Sequence, residues 1–133
     1  MAPTVIWDPE GEPFMVVGAP GGATIPVSTA RAIIGVIDFD LSAQDALALP
    51  FALANLEGVL VEAGTWLEDM HSEFVRLGYD SVIVKEMVQE VPIKVNAILR
   101  QKEGWISERE PRVEPQLNIP LMIERVAAAI SAL

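Results

Sequence analysis

The chain is 133 residues long and 51% hydrophobic, with 9 Lys and Arg against 19 Asp and Glu and a formal net charge of −10. It has the size of one modest domain with a real core, and its few cations cannot neutralise the phosphates of a nucleic acid or an anionic membrane surface. With no cysteine and a single histidine, His71, it excludes disulfides, thiolate nucleophiles and Cys- or His-rich metal sites.

No apolar run is long enough to span a bilayer, and no basic N-terminal region leads into an apolar, cleavable one. The compartment stays open between periplasmic or extracellular and cytoplasmic. No acidic loop has EF-hand spacing, and neither a metal nor a cofactor is expected.

Thr4 to Trp7 reads as a strand, Asp8-Pro9-Glu10-Gly11 as a turn, and Phe14 to Val17 as the returning strand of a hairpin. A glycine-rich run, Gly18 to Thr24, follows and leads into a helix over Ile25 to Phe39. Thr24 suits its cap and Pro26 its first turn. Ala30, Ile33, Ile34 and Ile37 make one apolar face, with Ile25, Val27, Ala32 and Val36 extending it around the cylinder.

Ser42 and Asp45 form a capping box for a short helix to about Leu49, which Pro50 ends. Phe51 to Asn55 carries no clear pattern, and Val59 to Glu62 reads as a strand. Thr65 and Glu68 make a second capping box, for a helix that presents Leu67, Met70, Phe74 and Leu77 and stops at Gly78. Ser81 to Val84, Lys94 to Leu99 and Trp105 to Ser107 read as strands, with a hairpin turn over Gln101 to Gly104. Pro111 to Pro120 is irregular and proline-rich. Asn118 and Pro120 open a last helix, Leu121 to Ala132, whose stripe of Met122, Val126, Ala129, Ile130 and Leu133 either docks on the core or forms an association surface. The order predicts an α/β (α+β) fold, with helices packed on one or both faces of a mixed sheet.

The glycine run carries the chemistry. A strand, a glycine turn and a helix N-terminus gather bare backbone N–H groups around one point, where negative charge is stabilised. Such a loop serves a phosphate or an oxyanion, or is simply a tight connection. A Walker loop is missing its Lys-Ser/Thr, and Gly18, Gly21 and Gly22 do not make G-x-G-x-x-G.

Met1-Ala2-Pro3-Thr4, followed by Gly18-Ala19-Pro20-Gly21-Gly22, resembles the C-terminal part of the small subunit of γ-glutamyltranspeptidases. That family has a Met-Ser/Ala-Pro-Thr strand, a hairpin turn rich in Asp and Gly, and Gly-Ser-Pro-Gly-Gly opening a helix that ends in Ile-Asp-Phe/Tyr. Ile37-Asp38-Phe39, Ala46-Leu47-Ala48-Leu49-Pro50, Val95-Asn96-Ala97-Ile98 and Glu110-Pro111-Arg112 continue the similarity in order, through residues 1–112, and leave 113–133 as a C-terminal extension.

The resemblance implies part of an N-terminal-nucleophile (Ntn) hydrolase, a four-layer αββα sandwich. Such enzymes cleave themselves to expose a threonine, which attacks γ-glutamyl amides of the glutathione type and passes the acyl group to water or an amino acid. By the match, the N–H groups of Gly21 and Gly22 would form the oxyanion hole, and Ala19 and Pro20 would belong to the substrate-binding loop. The family's nucleophile lies upstream of the Met-x-Pro-Thr strand, so no nucleophile is expected in this chain, and Thr4 and Thr24 read as strand and cap residues. The implied partners are upstream small-subunit and large-subunit segments, γ-glutamyl small molecules and a possible homodimer. Ala19 in place of Ser, Glu110 in place of Asp, and Leu53 and Ala54 in place of His mark a divergent branch.

The remaining polar and aromatic residues read plainly. His71 is a packing or surface residue, Trp66 and Trp105 are core or interface anchors, Glu68/Asp69 form a solvated face, and Glu108/Glu110 are strand-end charges. Arg112 pairs with an acidic residue in the terminal loop. Two other readings stay open: a non-catalytic remnant that dimerises through a sheet edge and the last helix, and an unrelated small anion-binding domain.

Overall fold

The computed structural model describes residues 3–87, 93–113 and 119–132. Strands β1 (Thr4–Trp7) and β2 (Pro13–Gly18) form the expected hairpin, with Thr4 opposite Val17 and a register shift between Ile6 and Trp7. Its turn closes through Asp8, whose N–H donates to the Glu12 carbonyl and whose carbonyl accepts from Gly11 N–H. Helices α1 (Ile25–Ile37) and α2 (Ala43–Ala48) follow. Next come β3 (Ala52–Asn55), β4 (Gly58–Glu62), a 3-10 turn over Trp66–Met70, α3 (His71–Arg76) and β5 (Val82–Lys85). Strands β6 (Asn96–Gln101) and β7 (Gly104–Arg109), a 3-10 turn over Pro111–Val113 and helix α4 (Ile119–Ser131) complete the described chain.

Two sheets result. The larger has the order β1-β2-β6-β7 and is antiparallel throughout; the smaller, β3-β4-β5, pairs β3 antiparallel and β5 parallel to β4. Only the smaller sheet is mixed. In the larger sheet, one face supplies Met15, Val17, Ala97 and Leu99 to the core. Helix α2 is buried there and packs against α1, β6, β7 and α4. Gly35 lets α1 and α2 approach closely, since a Cβ at that position would lie 2.7 Å from Ala46 Cβ. Met122 and Val126 dock α4 on the same core, whereas Ala129 is exposed and Leu133 lies outside the described residues. The positions proposed for the start of that helix also fall partly outside, at residues 114–118.

Several expectations change. The α1 face that points inward holds Ser28, Thr29, Arg31, Ala32, Gly35 and Val36, while Ala30, Ile34 and Ile37 are exposed. Gly35 lies on that face because α2 crosses closely there. Thr24 occupies the cap position but caps no helical N–H; it is already in αR, at φ −80° and ψ −13°, and capping needs an extended residue. The helix expected from Thr65 divides into the 3-10 turn and α3, with no buried residue in either. The segment without a clear pattern is β3, recruited by pairing with β4. Ser42 behaves as expected, accepting from Asp45 N–H at 3.1 Å.

The far face of the larger sheet is bare. Val5, Val16 and Ile98 align across β1, β2 and β6, and Val5, Trp7, Ile98 and Trp105 are each two-fifths or more exposed. Trp105 is therefore not a core residue. Trp66 packs against the main core.

Candidate functional site

The glycine loop leaves β2 at Gly18, opposite Asn96, and enters α1 through a 3-10 turn over Gly22–Thr24. Gly21 has φ 133° and Gly22 has φ 62°, conformations that favour glycine over any residue with a Cβ. The Gly21 carbonyl turns back toward α1, where it accepts from Thr24 N–H at 3.3 Å and from the Thr24 hydroxyl at 3.1 Å. Its peptide is trans, so the Gly22 N–H points the opposite way. Among the described residues, neither Gly21 nor Gly22 N–H enters a turn, loop or cap hydrogen bond. The space beside Gly22 is open, with no atom within 4 Å of a Cβ built there. Ala19 is buried beneath the loop and Pro20 is half-buried.

A cluster of four buried charges anchors the elements behind this loop. Arg112 Nε donates to Glu62 Oε1 at 2.5 Å, its Nη2 to Glu62 Oε2 at 2.7 Å, and its Nη1 to Glu110 Oε1 at 2.6 Å. The same guanidinium donates to the carbonyls of Leu47, Ala48 and Leu49 at the C-terminus of α2. Arg31, on α1, donates from Nη2 to Glu110 Oε2 at 2.9 Å and from Nη1 to the Leu49 carbonyl. Glu62 also accepts from Phe51 N–H at 3.0 Å. Helix α1, helix α2, the end of β4 and the turn after β7 are thus tied at one point.

The two arginines differ in their electrostatics. Burial, together with the neighbouring Arg112 charge, pushes Arg31 down to about 10. Burial also pulls on Arg112, but hydrogen bonds to Glu62 and the charges of Glu110 and Glu62 outweigh it and raise its value. Among the described residues, Arg112 engages two carboxylates and Arg31 one. Arg31 still carries its proton at neutral pH.

Glu110, expected to be a strand-end charge, is 1% exposed and bonded to both arginines. Arg112 does pair with acidic residues: Glu110, two residues before it in the turn after β7, and Glu62 at the end of β4; the rest of that loop, residues 114–118, lies outside the described residues. The sequence reading singles out neither Arg31 nor Glu62 as a functional charge. Their signal was present: Arg31 is the only charged residue in α1, and a lone charge in an apolar segment is seldom buried without a partner. His71, Glu68 and Asp69 are exposed.

The gamma-glutamyltranspeptidase family model matches residues 1–118. This chain belongs to the γ-glutamyltranspeptidase family. It is 30% identical over 117 residues to the glutathione hydrolase proenzyme of Arthroderma benhamiae, covering 85% of this chain but 19% of that protein. A Helicobacter pylori gamma-glutamyltranspeptidase structure superposes with a TM-score of 0.69 at 26% identity, covering 84% of this chain and 60% of that one. The Bacillus anthracis transpeptidase CapD, at 22% identity and a TM-score of 0.65, shares the fold over 89% of this chain and 69% of its own. The two sheets and their helices are therefore part of the Ntn-hydrolase αββα sandwich, and the chain spans about a fifth of the curated relative's length. Among the described residues, no helix is long and apolar enough to cross a membrane.

Proposed function

We propose that this chain is the C-terminal part of the small subunit of an enzyme that cleaves γ-glutamyl amides, and that it supplies the oxyanion hole through the N–H groups of Gly21 and Gly22. The supporting observation is the loop itself. Two adjacent glycines at positive φ stand at the head of α1 with their N–H groups outside any turn or cap bond and open space beside Gly22. Such donors stabilise a tetrahedral oxyanion in place, with no reorganisation at the moment of reaction.

In this reading the nucleophilic threonine lies on the upstream segment. Its hydroxyl attacks the γ-carbonyl while its own α-amine takes the proton. The carbonyl electrons move onto oxygen, which Gly21 and Gly22 hold. Collapse expels the amine, which takes the proton back from the α-amine, and leaves an ester; water or an amino acid repeats the sequence to release the acyl group. Ala19 and Pro20 shape the loop against the substrate. The bare sheet face with Val5, Trp7 and Ile98 supports the same reading, because the other half of the sandwich would cover it.

The test is an assay of the chain alone with a γ-glutamyl anilide, then with the upstream segment added. The reading predicts no turnover alone and turnover on reconstitution. Turnover by the isolated chain, or none from the reconstituted pair, would overturn it. The bare face also favours a second reading, a non-catalytic module that dimerises through this surface; sedimentation as a dimer that never gains activity would select it.

A further inference from the structure

A groove of about 710 Å³ lies between α1, the 3-10 turn over Trp66–Met70 and α4, walled by Val27, Ala30, Ile34, Trp66, Met70 and Ile130. It is almost wholly apolar. The one cation on its wall, Arg31, is already paired with Glu110. The apolar stripe runs along α1 from Ile34 in the groove, 43% exposed, to Ile37 beyond it, 50% exposed. From Val27 to Ile37 the stripe is roughly 15 Å long at the α-helical rise, about three turns.

Trp66 and Ala127 also border a second hollow of about 510 Å³. Glu68, Asp69 and Glu124 line it, with no Lys or Arg among its described lining residues. The trough is therefore apolar along one length and acidic at the other end, and Trp66 stands at the junction.

We propose that this trough docks an amphipathic helix of a partner chain, with its apolar face on Ile34 and Met70 and a Lys or Arg beside Asp69 and Glu124. A helix fits because three packed elements wall the trough and its stripe is helix-length, the arrangement of helix-in-groove recognition. The acidic end sets polarity and register, since complementary charge fixes orientation, and the Trp66 ring favours a cation over its face. A second copy of this chain fits poorly. Its net charge of −10 would bring acidic surfaces together. Its test reads peptide binding by this chain alone, so its failure is distinguishable from failure of the γ-glutamyl reading.

The test uses the full chain with Trp7→Phe and Trp105→Phe, leaving Trp66 as its single tryptophan. The probes are a Leu/Lys peptide of helical periodicity and its Leu/Glu counterpart, in about 0.15 M salt where surface attraction is screened within about 8 Å. The Leu/Lys peptide is expected to shift Trp66 emission and saturate at one per chain. Ile34→Arg and the pair Asp69→Lys/Glu124→Lys should each weaken binding about tenfold, or roughly 1.4 kcal/mol. The charge-matched pair Glu10→Lys/Glu57→Lys, in two hairpin turns, should change it by less than about threefold. Circular dichroism checks that each variant folds. Equal weakening by the control pair, insensitivity to Ile34→Arg, equal binding of the Leu/Glu peptide, or an Ile34-dependent dimer in sedimentation would overturn the proposal.

Discussion

Arg112 and Glu62, 50 residues apart in sequence, meet edge to edge in the interior through two hydrogen bonds of 2.5 and 2.7 Å. With Arg31 and Glu110 they form a neutral group of four charges that holds α1, and with it the glycine loop, against the end of β4 and the turn after β7. Glu110→Gln leaves two buried guanidiniums facing one carboxylate. Breaking a buried pair this way costs about 3–5 kcal/mol, and urea unfolding should show a loss of that size. Arg31→Met/Glu110→Leu removes one charge of each sign and should lose less than the sum of its single variants. A Glu110→Gln variant within about 1 kcal/mol of wild type would contradict the anchoring role.

The α1–α2 crossing depends on a missing side chain. A Cβ at Gly35 would lie 2.7 Å from Ala46 Cβ and 2.8 Å from Leu49 Cδ1. Gly35→Ala should destabilise by about 1–3 kcal/mol through overpacking, and Gly35→Ala/Ala46→Gly should recover part of that loss in the same melt. No loss from the single variant would mean that the helices are not in close contact there.

Asp8 closes the first hairpin. Its Oδ1 accepts from Glu12 N–H at 2.8 Å and its Oδ2 from Arg100 of β6. The Glu12 N–H first, and Arg100 second, hold its pKa below the ordinary carboxylate value. A lowered carboxylate value contributes stability above the unfolded value of about 3.9, and that stability is lost as pH falls through the lower folded value. In an NMR titration Asp8 should show its midpoint below 3.8, and Arg100→Leu should raise it only partway, because the Glu12 N–H remains. Full restoration of the ordinary value by Arg100→Leu would show that the backbone bond contributes little.

The bare sheet face makes its own prediction. Ile98 sits between Val16 and Ser107 in one row across β2, β6 and β7 and is 42% exposed. Ile98→Lys should fold normally yet reduce capture of the upstream segment by at least tenfold, about 1.4 kcal/mol. Unchanged capture, read by co-sedimentation, would remove this face from the subunit contact.

Local signals in the sequence were legible and distant ones were not. The Asp8–Gly11 turn, the Ser42 cap and the paired glycines depend on neighbours within a few residues, so the sequence displays them directly. The direction of the α1 stripe was not legible, because periodicity gives a face without saying what covers it. Ser28, Ala32 and Gly35 face inward, Gly35 because α2 leaves no room for a Cβ there, and Ile34 and Ile37 are left outside. Glu110 reads as a strand-end charge because its partner Arg31 lies 79 residues earlier in the chain. Strand β3 was hidden for a similar reason: it is defined by β4 and has little pattern of its own.

The most direct measurement is kcat of the reconstituted enzyme carrying Gly22→Val. A β-branched residue at φ 62° forces the loop to relax and swings the Gly21–Gly22 peptide. The predicted result is a fall in kcat of about 10²–10³, the effect of one lost oxyanion donor, with KM for the γ-glutamyl donor little changed and the fold retained by circular dichroism. Wild-type kcat in a variant whose loop has relaxed would contradict the assignment of these amides to the oxyanion.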